Sequence, residues 1–328
     1  MCGRVRIALL MGLLVAVMSS VAYGAISVAK EFTLQSYAGS PFRPRISGDW
    51  VLVVQNIDNK GCGSTAAGII IYNVVTNKSY MVYSGNAGWC DMGGSLGTWT
   101  GKTEDLKGFC TLKGDRSGSR NPSNLVVVDT RTWRYYTPPL ETGPVFGPVA
   151  CGDLIAYEGK GGRICYIDMN TGAQTTVSRG DSRHANPATG PDLIVWEEYD
   201  NKRQVRGYRI STGEEIRITD DAGAEHCGPQ TDGKTVVWWG NSEGVGAYDL
   251  ATGTRKVISK QGFYADVDNG IVVYLKGVKG GSAVFGYDLA TGEEFRISSG
   301  LSNQGPSISG NRVVWLWQNK IVCAELKR

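Results

Sequence analysis

The sequence predicts an all-β chain folded as a β-propeller of four-stranded blades, and three observations carry that prediction. The 45 glycines, 9 tryptophans and 15 tyrosines suit many tight turns between aromatic strands. A turn glycine followed by a β-branched run ending in an aromatic recurs at Gly152–Tyr157, Gly190–Trp196, Gly233–Trp238, Gly270–Tyr274 and Gly310–Trp315. A strand ending in Asp or a substitute, followed by Thr-Gly or a relative, ends at Gly172, Gly213, Gly253 and Gly292. These glycines are spaced by 41, 40 and 39 residues, the period of a propeller blade.

Pro229 to Ser259 is the clearest copy of the unit. Pro229-Gln230-Thr231 is a first strand, Asp232-Gly233 a turn and Val236 to Trp239 a second strand. Val245 to Leu250 is the third, and Ala251-Thr252-Gly253 turns the chain into Arg255 to Ser259. One copy cannot bury its aromatic face, so copies must stack. The turn has a local cause: an Asp or Asn side chain can accept backbone N–H groups two residues on, and glycine supplies the left-handed conformation. Turn chemistry accounts for these aspartates without a ligand.

Earlier copies are more degenerate. Pro44 to Gly48 leads into Trp50 to Val54, and Ile69 to Asn73 precedes Thr76-Asn77. In the next, Met92 to Trp99 supplies the inner strands, Leu125 to Asp129 the third and Trp133 to Thr137 the outermost. Gly101 to Ser123 is an insertion rich in Gly, Ser and Lys. Third strands near Tyr72, Asp129, Asp168, Arg209, Asp249, Asp288 and Glu325 make seven blades. Six is the alternative, with the stretched copy only a loop. The last copy lacks an outer strand, and Glu31 to Gln35 matches outer strands such as Glu294 to Ser298. It is expected to pair there, closing the ring and removing an exposed edge.

Residues 1–24 read as a secretory signal peptide, with Arg4 and Arg6, an apolar core from Ile7 to Met18 and a small-x-small site at Ala22-Tyr23-Gly24. Residues 25–328 form one propeller domain. The chain is expected to be exported (periplasmic, secreted or at the cell surface), monomeric and without a transmembrane segment after cleavage. Basic residues number 34 against 31 acidic, and two of the basic ones fall in the leader. That balance offers no field for nucleic acid. Outside the leader the cysteines number seven, an odd count in an exporting context. Disulfide candidates are a pair among Cys62, Cys90 and Cys110, then Cys151 with Cys165. With no C-x-x-C pair and only two histidines, neither a metal site nor a cofactor is expected.

Pro306-Ser307-Ile308-Ser309-Gly310-Asn311-Arg312-Val313-Val314-Trp315 and Tyr287-Asp288-Leu289-Ala290-Thr291-Gly292 resemble the TolB-like, WD40-like propeller repeats of prokaryotic exported and cell-surface proteins. The resemblance covers about residues 30–328 and implies a propeller in the cell envelope. Thr231-Asp232-Gly233 retains part of that family's Ser-Pro-Asp-Gly turn, and the Gly-His and Trp-Asp pairs of the WD type are absent.

In propellers, the loops entering the innermost strands share one face with the loops joining second to third strands. Ligand-facing candidates there are Trp89, Arg183, His184, Glu225, His226 and Tyr264. His184 and His226 precede Pro187 and Pro229 in neighbouring copies and are expected at the channel rim, near enough to share a ligand, against a reading as two exposed loop histidines. Glu197, Glu198 and Asp200 suggest glycosidic chemistry, but adjacent strand residues face opposite ways, so a solvated loop is expected. Asp266 to Gly270 imitates a calcium loop whose twelfth position is Gly277, and reads as a turn. Trp196, Trp238 and Trp315 are packing residues. Trp89 stands outside the repeat pattern and is the candidate for exposed aromatic contact. The function expected is a non-catalytic scaffold binding a protein or glycan partner in the envelope. The alternative is a carbohydrate-active lyase or hydrolase centred on His184 and His226.

Overall fold

In a computed structural model the described residues are 25–34, 40–57, 66–85, 87–101, 124–140, 143–221, 223–302 and 304–328. They form seven four-stranded antiparallel sheets. Blade 1 holds β2 (Ser40–Ser47), β3 (Trp50–Ile57), β4 (Ala66–Asn73) and β5 (Lys78–Gly85). Blade 2 holds β6 (Cys90–Gly93), β7 (Leu96–Thr100), β8 (Leu125–Asp129) and β9 (Arg134–Tyr136). Blade 3 holds β10 (Phe146–Cys151), β11 (Leu154–Gly159), β12 (Arg163–Asp168) and β13 (Gln174–Thr176). Blade 4 holds β14 (Arg183–Gly190), β15 (Leu193–Asp200), β16 (Lys202–Arg209) and β17 (Glu214–Arg217). Blade 5 holds β18 (Cys227–Thr231), β19 (Thr235–Gly240), β20 (Gly244–Asp249) and β21 (Thr254–Ser259). Blade 6 holds β22 (Gly262–Asp268), β23 (Ile271–Val278), β24 (Gly281–Asp288) and β25 (Glu294–Arg296). Blade 7 holds β26 (Ser307–Ser309), β27 (Arg312–Trp317) and β28 (Lys320–Lys327), and its outer strand is β1 (Ser27–Thr33).

The stretched copy is thus a full blade, and the ring closes as the sequence predicts. Glu31 pairs with Ala324 and Phe32 with Cys323, the strand starting four residues earlier than its sequence match. Leu34 N–H donates to the Ile321 carbonyl at 2.9 Å, and the Glu31 carboxylate takes the Ser299 hydroxyl at 2.7 Å.

Second strands are apolar on both faces because each blade is sandwiched between two others. Leu52 and Val54 pack toward blade 2, whereas Val51 and Val53 pack toward blade 7. The buried apolar clusters among the described residues each fill the space between neighbouring blades. The repeated aromatic position is filled by Trp99, Tyr157, Trp196, Trp238, Tyr274 and Trp315, all at most 1% exposed.

The Asp turns form as expected. Asp249 accepts the N–H groups of Ala251 and Thr252 at 2.8 and 2.9 Å, and Gly253 follows at φ +68°. Blade 4 has Arg209 in the Asp position, and there Asp192 from the preceding turn accepts the Ser211 N–H at 2.7 Å. Near the axis, side chains of one innermost strand accept backbone N–H groups of the next. Asp91 holds Ala150 at 3.0 Å, Asp266 holds Ile308 at 3.1 Å and Asp268 holds Gly310 at 2.6 Å. Asp266 to Gly270 is therefore a strand end and turn, as read, with its carboxylates occupied in joining blades.

Cys90, Cys151, Cys165, Cys227 and Cys323 are free thiols. The expected Cys151–Cys165 bridge is not formed. Cys151 pairs with Leu154 and Cys165 with Tyr157, so the two lie on strands once removed and three residues apart in register. Two strand spacings alone, about 10 Å, exceed disulfide reach. Cys62 and Cys110, the insertion at 102–123 and the leader lie outside the described residues. No helix among those described is long and apolar enough to cross a membrane.

Deleting residues 25–34 removes β1 together with the buried Ile26 and Leu34. At about 1.5–3 kcal/mol for each fully buried side chain, a melting temperature lower by about 10 °C is expected. A calorimetric scan with an unchanged midpoint would contradict the closure.

Candidate binding site

Five innermost strands share one irregularity. Their register shifts at Phe42/Arg45, Phe146/Val149, Ala185/Ala188, Cys227/Gln230 and Phe263/Asp266, where two residues oppose one on the partner strand. The first residue of each pair is left-handed: Arg43, Gly147, Asn186, Gly228 and Tyr264 have φ between +51° and +55°. These are bulges that bend the strand end and turn the apex residue outward from the ladder. Proline follows four of them, at Pro44, Pro148, Pro187 and Pro229, and Pro306 holds the same place in blade 7.

The apices surround a cavity of about 480 Å³ at the mouth of the central channel. Its wall is asymmetric. Blades 3, 4 and 5 contribute the small apices Gly147, Asn186 and Gly228, whereas blades 6, 7, 1 and 2 contribute Tyr264, Gln304, Arg43 and Trp89. The Arg43 guanidinium lies 3.7 Å over the Trp89 ring, and the Arg43 N–H donates to Gln304 Oε1 at 2.7 Å. Tyr264 meets Trp239 edge-on at 5.1 Å, and Gly305 has no room for a Cβ beside it, since that atom would lie 2.8 Å from the Tyr264 Cβ. Trp89 is 44% exposed and Tyr264 47%. A left-handed arginine or tyrosine costs of the order of 1–3 kcal/mol where glycine would be unstrained.

Deeper in the channel, Arg45 faces Asp91 at 3.8 Å. Burial pushes the Asp91 carboxyl up to about 6 against the pull of Arg45, and burial raises Asp266 in the same way. On the opposite wall, Glu197 accepts the Gly228 N–H at 2.6 Å and the Tyr199 hydroxyl at 2.8 Å. Arg203 is paired with Glu225 at 2.6 Å.

Of the predicted residues, the structure brings Trp89 and Tyr264 to the mouth. Glu225 reaches it only through Arg203. Arg183 is exposed and lies over Tyr199, 5.3 Å from the ring centroid, outside the cavity lining. The histidines correct both readings, because each is fully buried inside its own blade. His184 contacts Glu198 at 3.5 Å and Trp196 edge-on. His226 Nε2 lies 2.7 Å from Arg255 and 3.0 Å from Glu243, with its ring edge-on to Trp238. They cannot share a ligand. Glu197, Glu198 and Asp200 lie on β15 rather than in a loop, and Glu197 is 1% exposed. Their opposite facing is as predicted: Glu197 turns to blade 5, while Glu198 takes Arg206 at 2.7 Å. From the sequence, Arg43 and Gln304 fall in the loops of this face but not among the ligand-facing candidates. The usable signal was the residue before each repeated proline, small in blades 3, 4, 5 and 7 and Arg in blade 1.

No protein-family model matches the chain, and no curated protein matches it in sequence. Solved structures do match in fold. The β-propeller domain of the trilobed protease from Pyrococcus furiosus is 15% identical, with 88% of this chain and 95% of that one covered at a TM-score of 0.62. An acylaminoacyl peptidase from Pyrococcus horikoshii is 16% identical at a TM-score of 0.59 and covers 85% of this chain. This chain spans 49% of that peptidase. The computationally designed Ika8 protein is 13% identical at 0.56, with 89% and 98% covered. The first is described as having an open velcro topology, whereas here β1 pairs with β28. At these identities the likeness is one of fold.

His226 supplies a pH test. Burial lowers its pKa below the ordinary value near 6.5, although Glu243 pulls the other way. The Arg255 guanidinium, 2.7 Å from Nε2, also works against protonation of the ring. An unfolded chain then binds the proton more readily than the folded one, so this residue costs stability as pH falls below about 6.5. The denaturant midpoint of the wild type should drop further between about pH 7.5 and about pH 5.5 than that of His226→Gln. Parallel profiles would show that His226 carries no such linkage.

Proposed function

We propose that the chain is a non-catalytic, exported binding module of the cell envelope, taking a protein or glycan partner at the mouth of its central channel. The supporting observation is the arc of Tyr264, Gln304, Arg43 and Trp89, which places two exposed rings and a cation along one wall of the cavity. Concave sites lined by aromatic and a few polar groups are where propellers and other scaffolds take ligands. The carbohydrate-active alternative was centred on His184 and His226, and their burial and pairing leave it without the residues that suggested it. Export rests on the leader-like residues 1–24, and an envelope location also on the repeat resemblance.

Immobilised wild-type protein should retain a component of the envelope fraction, and a Trp89→Ala, Tyr264→Gly variant should lose at least about tenfold of that retention. Glycine at 264 recreates the apex of blade 5, so the backbone there is unstrained. Tyr136→Ala, an exposed aromatic on an outer strand, should bind like the wild type. Equal retention by all three would place the contact elsewhere. Release of new reducing ends from envelope polysaccharide would overturn the non-catalytic reading.

A further inference from the structure

We infer that the occupant of this mouth is an acidic glycan, whose sugar ring lies in the arc and whose single negative charge is taken by Arg43. The inference rests on the mouth being the binding site and adds the chemistry of the ligand. Other ionised groups there already have partners. Arg203 holds Glu225, Arg45 faces Asp91, Glu197 is taken by Gly228 and Tyr199, and Asp91 and Asp266 accept backbone N–H groups. Among the described residues no carboxylate pairs with Arg43, and its nearest charged neighbour on the same strand is the like-charged Arg45. Burial already depresses its pKa, as expected of a guanidinium partly withdrawn from water without a counter-ion. One unpaired guanidinium balances one negative charge, which fits a carboxylate on a sugar ring better than a dianionic phosphate.

The ring assignment has separate support. Trp89 and Tyr264 flank Arg43 from neighbouring walls, and a cavity of about 480 Å³ has the scale of a small-molecule site. An extended peptide would instead add to a strand edge through its main chain. The inner edge of these strands is blunted at the mouth by Pro44, Pro148, Pro187, Pro229 and Pro306, which offer no N–H. Arg43 also holds a left-handed backbone at an apex where blades 3 and 5 use glycine. The strain is borne where the side chain is a cation that no carboxylate pairs among the described residues.

Titration calorimetry with three probes tests this: a β-1,4-linked trisaccharide carrying one glucuronate residue, its methyl ester and cellotriose. The acid should bind at least about tenfold more tightly than either neutral probe, with an affinity that weakens as salt is raised. Arg43→Gly recreates the apex of blades 3 and 5 and should erase the difference between acid and ester, and Arg43→Lys should restore part of it. Trp89→Ala should weaken all three probes. Equal binding of acid and ester would overturn the charge assignment while leaving the mouth as a site. Binding of an acetylated tri-aspartate peptide in preference to the glucuronate would overturn the glycan assignment. No binding of any probe by a wild type that still retains its envelope component would overturn the whole inference and leave the binding-module reading standing. If Arg43→Gly unfolds, the acid-against-ester comparison on the wild type decides alone.

Discussion

Everything in this molecule depends on how closely the innermost strands approach one another around the axis. Seven strands converge there, and each must satisfy backbone groups that have no ladder partner on the channel side. Asp91, Asp266 and Asp268 answer that need by accepting N–H groups of the following blade. Beside such a bond the blades close up tightly. A Cβ on Gly93 would lie 1.8 Å from the Ala150 carbonyl oxygen, so that approach is open only to glycine. The same crowding explains the bulges. A strand bent away from the axis at its upper end opens a mouth above a narrow channel, and its apex residue becomes the wall of that mouth.

Fold and candidate site follow from one repeat used unevenly. Blades 3, 4, 5 and 7 keep small apices, and Tyr264, Gln304, Arg43 and Trp89 on blades 6, 7, 1 and 2 carry the larger polar and aromatic groups, so sevenfold architecture yields a one-sided pocket. Burial does the rest. The half-buried Asp91 beside Arg45 lies beneath a rim on which Arg43 faces outward with no carboxylate partner among the described residues.

The fold was legible because its signals are local. Glycine at the turn following Asp249 or Asp288, and an aromatic closing each second strand, are fixed by turn geometry and by packing on both faces of a blade. Ring closure was legible for a related reason: an outer strand was missing at one end and a strand of matching length stood near the other. The site was less so. His184 and His226 sit two residues before the apices Asn186 and Gly228, and nothing in their spacing says that the half-buried Glu198 or Glu243 will draw each ring inward. The cysteines misled because position within a repeat says nothing of register, and three residues of offset on alternate strands put Cys151 and Cys165 out of reach. Trp89 stood out as a residue that does not fit the repeat, and Tyr264 as one in the loops of this face. Arg43 lay in the same loops, and comparison of the residues preceding the prolines would have raised it above the rest.

Ligand binding at the mouth should centre on the arc that blades 6, 7, 1 and 2 contribute. Hydrogen exchange of the intact protein, with and without the trisaccharide carrying one glucuronate residue, tests it most directly. The account predicts slowed exchange in the segments 40–47, 87–93, 262–268 and 304–309, with the outer strands unchanged. Protection centred on the turns of the opposite face, or spread evenly over all seven blades, would contradict it.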